Sequence, residues 1–289
     1  SRLDKEARID DNMYHLVLLC QNELGYRNLL QLVNRSFLEG FYYKPRVDRE
    51  LLSLYSEGLI ALSGCIAGEI PQAVLAGDYN KARDLALEYE QIFGRDNFYL
   101  ELQKHGIPEE ERVCAALIQI SDETGIPLVA SNDVHYINQN DAAYHDVLLC
   151  IQTGSVISEQ ERMRFPPGAA FYLKSPEEMH SLFSGRPEAI GNTLLIADRC
   201  ELEFEFGSFH LPHFELEKDI TPEEYLSQLV WEKTRQVFPQ PDSIIDERIA
   251  FELQVINQMG FAAYFLIVQD LINWARHNKI AVGPGRGSA

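Results

Sequence analysis

The 289-residue sequence has no CxxC pair and an odd number of cysteines. Cys20, Cys65, Cys114, Cys150 and Cys200 lie 36 to 50 residues apart, a spread that excludes a zinc ribbon and a disulfide framework and suits a reducing cytoplasm. Basic charge is also short. Lys and Arg number 25 against 44 Asp and Glu, for a net charge of −19. The chain as a whole is therefore not a surface that grips a phosphate backbone, and any nucleic-acid contact is local or made by residues outside it. Its apolar runs, such as Phe261 to Val268, fall far short of the roughly 20 residues that span a bilayer, and no basic-then-apolar signal opens the sequence. A soluble protein with no membrane partner is expected. Internal repeats and low-complexity tracts are missing as well. What is present, 46% hydrophobic residues, suffices for a sizeable core and one or two domains. The polar opening SRLDKEARIDDN and the stop inside GPGRGSA read as ends cut from something larger.

From Met13 to about Cys200, short apolar runs alternate with segments of helical period, the pattern of βα units around a parallel sheet. The expected strands are YHLVLLC (14–20), GLIALSG (58–64), NFYLELQ (97–103) and IPLVASND (126–133). Glu23–Leu38, Asn80–Phe93 and Pro108–Thr124 read as helices, the last opened by a proline and three glutamates that complement the N-terminal dipole. Ser175-Pro-Glu-Glu and Thr221-Pro-Glu-Glu have the form of capping boxes. After Cys200 the alternation stops. A boundary near residue 205 leads into helices expected at 221–237, 242–259 and 262–278, followed by a short apolar step, IAV, into the glycine-rich run. Acidity sits mainly in the first part, with 33 acidic against 18 basic residues, compared with 11 against 7 beyond residue 205.

In α/β folds, ligands and catalytic groups collect at the carboxyl ends of strands. Two strand candidates end in polar groups there: SGC (63–65) and NDVH (132–135). Cys65, Asp133 and His135 are accordingly metal-ligand candidates. An Asp-x-His pair on an extended segment places both side chains on one face, about 7 Å apart. Thiolate, imidazole and carboxylate together suit zinc, or manganese and iron with more oxygen ligands. Against this, a lone cysteine after an apolar strand is more often a small buried hydrophobe, and Asp133 has an equal claim to capping a turn. His15, at the start of its strand, reads by position as a core histidine. The run Gly283–Ala289 lets backbone N–H groups approach phosphates, but it lacks the Lys of a Walker A loop, and a plain tight turn is equally consistent. Phe261, Tyr264 and Phe265, at helical spacing, read as core rather than as a base-stacking platform.

The runs YHLVLL, GYRNLLQLVNRSFLEGFYYKPRVD, EGLIALSGCIAGEIPQA, SNDVHY, HDVLLCIQTG, FYLKSPEEM, ELQVINQMGFAAYFLIV and GPGRGSA occur in that order. In them the whole sequence resembles the bacterial C-family replicative DNA polymerases, the polymerase III α subunits. The resemblance implies that residues 1–205 are the later part of a PHP domain, a distorted β/α barrel whose first strands precede Ser1. Residues 206–289 would then begin a mostly helical part of a polymerase β-like palm. It also raises His15 to a ligand position, beside Cys65, Asp133 and His135, in a cluster whose other ligands belong to motifs upstream of Ser1. An incomplete barrel would leave an apolar strand edge open to pairing with other chains.

Further implications concern the parent protein. It is expected to be a cytoplasmic enzyme that makes DNA from deoxynucleoside triphosphates on a primer-template with Mg²⁺. Zn²⁺ or Mn²⁺ would occupy the PHP site, with 3′-5′ exonuclease activity there in some family members. Gly287, Ser288 and Arg286 would contact the nucleotide triphosphate, while the polymerase carboxylates lie beyond Ala289, so the segment alone is expected to be inactive. Expected partners are the sliding clamp, the clamp loader and a proofreading exonuclease subunit. Two other readings stay open: a stand-alone PHP phosphoesterase, disfavoured by the palm-like tail, and a non-catalytic PHP scaffold that docks a separate exonuclease.

Overall fold

The structure, a computed structural model, describes residues 1–6, 13–207, 212–216, 219–240 and 242–283. The chain is mixed α/β and divides into two compact units, Ser1–Phe204 and Glu205–Ala289.

In the first unit, β1 (Val17–Cys20) leads through α1 (Glu23–Leu38) and α2 (Arg49–Leu54) to β2 (Leu59–Leu62). Two helices, α3 (Glu69–Leu75) and α4 (Tyr79–Phe93), connect β2 to β3 (Phe98–Leu102), and α5 (Pro108–Thr124) connects β3 to β4 (Leu128–Ala130). The four strands form one sheet in the order β1-β2-β3-β4. Strands β2, β3 and β4 are mutually parallel, joined by helical crossovers. Strand β1 departs from the all-parallel expectation: it runs antiparallel to β2, with Val17 opposite Leu62 and Cys20 opposite Leu59. Periodicity marks a strand as apolar but carries no direction, which only the pairing decides.

Each strand lies inside its expected run but is shorter, because the polar ends of those runs leave the sheet. Helix ends match local chemistry more closely. Asn22 accepts the Gly25 N–H at 3.0 Å to cap α1, and Gly125, in the left-handed conformation at φ 79°, closes α5. The β2 and β3 strands are buried throughout, with Leu59, Ile60, Ala61, Phe98 and Leu100 fully enclosed. Burying each large side chain contributes about 1.5–3 kcal/mol. Beyond β4 come a short 3₁₀ turn and three further helices, α6 (Ala142–Thr153), α7 (Pro176–Leu182) and α8 (Pro187–Arg199). Ser175 and Glu178 form the reciprocal cap of α7, and α8 packs on β4.

The second unit contains α9 (Pro222–Val237), α10 (Ser243–Gln258) and α11 (Ala262–His277). Thr221 and Glu224 cap α9 reciprocally. Leu226, Leu253, Ala262 and Leu266 form its core. The aromatic trio read as core is not: Phe261, Tyr264 and Phe265 are 38%, 48% and 45% exposed. Ala262 and Leu266, one helical turn apart, take the inward face of α11, and this turns the three rings outward. The apolar step 280–282 is irregular rather than a strand, and Arg286, Gly287 and Ser288 lie outside the described residues. No single helix among the described residues is long and apolar enough to cross a membrane.

Candidate metal centre

The four candidate ligands form two pairs, each built by a different stretch of the first unit. The first pair is set by the turn after β2. Gly64 sits at φ 80°, and a Cβ there would lie 2.9 Å from the His15 carbonyl oxygen, so glycine permits the turn and the close approach together. The His15 N–H donates to the Ala67 carbonyl at 3.0 Å, and Cys65 Sγ then lies 3.5 Å from His15 Nδ1. His15 is exposed and Cys65 partly so, which fits neither a core histidine nor an enclosed hydrophobe.

The second pair follows β4. Residues 131–135 are irregular rather than extended, and Asp133 Oδ1 approaches His135 Nε2 to 3.3 Å. This corrects the expected side-by-side spacing of an extended segment: the two groups pair with each other. The His135 N–H donates to the Phe171 carbonyl at 2.9 Å. The His135 ring meets Phe165 edge-on, with centroids 4.7 Å apart, and lies 5.6 Å from the ring of His145.

Beneath both pairs lies a group that strand periodicity had assigned only to β3. Glu101 is 5% exposed at the carboxyl end of that strand. Its carboxylate accepts the Gly64 N–H at 3.1 Å, the Gln103 side-chain amide at 3.1 Å and the Ser131 hydroxyl. Its own N–H donates to Ser63 Oγ at 2.9 Å. One buried acid thus ties the loop before Cys65 to the loop before Asp133. The signal in the sequence was a glutamate inside an otherwise apolar run, since a buried carboxylate requires partners of its own. Lys174 braces the same region, donating to Asn132 Oδ1 at 2.8 Å and to the Ala170 carbonyl. Its burial lowers the ammonium pKa. His105, also buried, pairs with Glu110 at 2.7 Å and stacks on the Phe171 ring at 4.1 Å.

Burial raises the pKa of the Cys65 thiol, and the charges of Asp133 and Glu101 raise it further, against a lowering contribution from the Ala67 backbone. The surroundings of Cys65 are thus rich in negative charge, and a cation would relieve that charge while favouring the thiolate. By donor type and charge the residues suit a metal ion. By convergence they do not close a centre on their own: among the described residues no group of three or more His, Cys, Asp or Glu side chains is placed to hold one. They fit a partial ligand set.

Comparison with known proteins gives the families that the chain resembles. Residues 3–105, which include His15, Cys65 and Glu101, match the PHP domain family, and residues 224–289 match the bacterial DNA polymerase III alpha NTPase domain. The DNA polymerase III subunit alpha of Borreliella burgdorferi is 45% identical over 99% of the chain, and that of Treponema pallidum 43% identical over all of it. Along its whole length the chain is similar to DNA polymerase III α subunits. The subunit of Thermus aquaticus, 37% identical, also aligns with the whole chain. The chain spans 25% to 29% of the length of these family members. Asp133 and His135 lie beyond the part matched to the PHP family.

Proposed function

We propose that this chain is part of the catalytic subunit of a replicative DNA polymerase, a cytoplasmic nucleotidyltransferase that extends a primer-template from deoxynucleoside triphosphates with Mg²⁺. The observation that carries this reading is the order of the two family matches on one chain, each inside alignments that run its full length. A stand-alone phosphoesterase would have no use for the second match. In this reading the first unit belongs to a PHP-type barrel and the second opens the palm, with Arg286, Gly287 and Ser288 reaching the incoming triphosphate. The polymerase carboxylates would come from outside the chain. The sliding clamp, the clamp loader and a proofreading exonuclease are its proposed partners. The test is primer extension by the full-length protein, with the 289-residue chain assayed alongside. Extension by the full-length protein alone is expected; none by either, with the full-length protein folded, sinks the reading.

His15, Cys65, Asp133 and His135 are proposed to hold part of a Zn²⁺ or Mn²⁺ cluster completed by ligands outside the chain. Such ions polarise a phosphoryl oxygen and lower the pKa of bound water, the chemistry of 3′-terminal phosphodiester cleavage. The chain's own contribution is positional. Glu101 fixes the loops that carry both pairs, and the aromatic rings around His135 hold its imidazole in place. In the full-length protein, Asp133→Asn is expected to lower bound metal while leaving primer extension near normal. Unchanged metal content would leave the first unit as a docking scaffold.

A further inference from the structure

Three stretches distant in sequence meet at Phe171. Its buried ring lies flat against the imidazole of His105, with centroids 4.1 Å apart and planes 14° from parallel. The ring of His135 meets it edge-on, at 5.5 Å and 88°. Backbone bonds run the same way. The Ala170 N–H donates to the His105 carbonyl at 2.8 Å, and the His135 N–H donates to the Phe171 carbonyl at 2.9 Å. The Phe171 N–H donates in turn to the hydroxyl of Tyr136, the neighbour of His135, at 3.2 Å. The segment after β4 is thus held to Phe171 by backbone and by ring.

His105 is fixed from the core of the unit. It is 1% exposed, and the acid beside it, Glu110, is 4% exposed. One oxygen of Glu110 accepts the His105 N–H at 2.6 Å, and the other lies 2.7 Å from Nδ1. A single carboxylate therefore sets both the backbone and the ring plane of His105. Glu110 stands in the first turn of α5, whose Val113, Leu117 and Ile120 belong to the main core. Nε2 has no partner among the described residues, so what the ring presents is its face. An apolar side chain would fill the same space without the desolvation that burying an acid and an imidazole costs, but no hydrogen bond would orient it.

We infer that His105 is a positioning residue: its imidazole, oriented by Glu110, holds the Phe171 ring, and Phe171 fixes where the His135 imidazole lies. His105 is too enclosed to touch a ligand itself and acts only through Phe171. The use of this support for a metal ion rests on the reading of His135 as a ligand; the support itself does not.

The test is amide hydrogen exchange, read by mass spectrometry, on the full-length protein dialysed against EDTA. Two double variants are compared with wild type: His105→Leu with Glu110→Gln, and His105→Phe with Glu110→Gln. Both lose the Nδ1 contact and both neutralise the acid, so they differ only in the ring. With His105→Leu, exchange in residues 133–137 and 169–173 is expected to rise roughly tenfold, the scale of one lost hydrogen bond, while β2 and α4 keep their protection. With His105→Phe, exchange in both segments should return to within about threefold of wild type, because the face against Phe171 is restored. Unchanged exchange with His105→Leu overturns the inference. Equal loosening in the two double variants overturns the role of the ring. Loosening that spreads equally into β2 and α4 also overturns it, since His105 would then be a core residue and no more. Zinc alone, added back to the same proteins, tests the metal reading separately. Its affinity should fall roughly ten- to hundredfold with His105→Leu and recover with His105→Phe. Local loosening without any change in zinc binding would remove the metal reading and keep the positioning role.

Discussion

The two units bury their apolar residues to very different extents. In the first, β2 and β3 are enclosed along their whole length, and even the acid among them, Glu101, has three donors to its carboxylate. In the second, each helix has one or two buried residues, while Ile244, Phe251, Leu271 and Trp274 are 73%, 59%, 63% and 61% exposed. A sheet covered by crossover helices has an inside that excludes water from both faces of its central strands. Three helices have only the seam between them. The first unit can therefore hold polar groups at fixed distances, whereas the second presents more apolar surface than its own core uses.

The sharpest way to break this contrast is to cut a hole in each core and follow local hydrogen exchange in the 289-residue chain. Phe98→Ala removes a fully buried ring and should cost about 3–5 kcal/mol, with β2, β3 and β4 losing protection together. Leu266→Ala should cost about 2–3 kcal/mol, toward the low end for such a change because its core is small and can close in, and the loss should be confined to α9–α11. If the loss spread into the strands, the two units would not be separate cores.

Glu101→Gln tests whether the order of the first unit serves the candidate site. The amide keeps the shape but has one acceptor oxygen where the carboxylate has two, so one of the Gly64 and Ser131–Gln103 partnerships is lost. A cost of about 1–3 kcal/mol is expected. In the full-length protein, metal affinity should fall roughly ten- to hundredfold, as for other groups that orient metal ligands. Unchanged affinity would reduce Glu101 to a structural acid. The corresponding change in the second unit, Trp274→Ala on an exposed face, should stay within about 0.5 kcal/mol.

The smallest effect is a pH dependence. The hydrogen bonds from Arg162 hold the Asp146 carboxyl below its ordinary value of 3.8. A depressed carboxylate contributes stability above its unfolded value, and that contribution is lost as pH falls through the folded one. The melting temperature of wild type should therefore exceed that of Asp146→Asn near neutral pH. The difference should shrink once the pH drops below about 3.8. A gap that persisted at the lowest pH would mean that the pair does not titrate as a unit.

Most helix boundaries were legible in the sequence because their causes are local. The Asn22 cap, the Pro108 start with its three glutamates, and the Ser175 and Thr221 boxes each act within four residues of where they stand. Helices α2, α3, α6 and α8 escaped notice, since their apolar positions face neighbours that sequence order does not reveal. The candidate donor residues were likewise legible, because Cys65 and the Asp133–His135 pair close apolar runs. Their arrangement was not. That Cys65 meets His15, fifty residues away in sequence, depends on β1 pairing antiparallel with β2. That Asp133 turns onto His135 depends on the chain leaving the sheet after Ala130. The role of Glu101 and the ring wall beside His135 arise from contacts between loops that no local pattern encodes. Short-range sterics and capping act on the chain wherever it lies, so sequence alone determined the strongly capped or amphipathic helices, the strand candidates and the donor types. Strand direction, the pairing of donors and the rings around His135 depend on which distant segments share a core, and only the tertiary structure decided them.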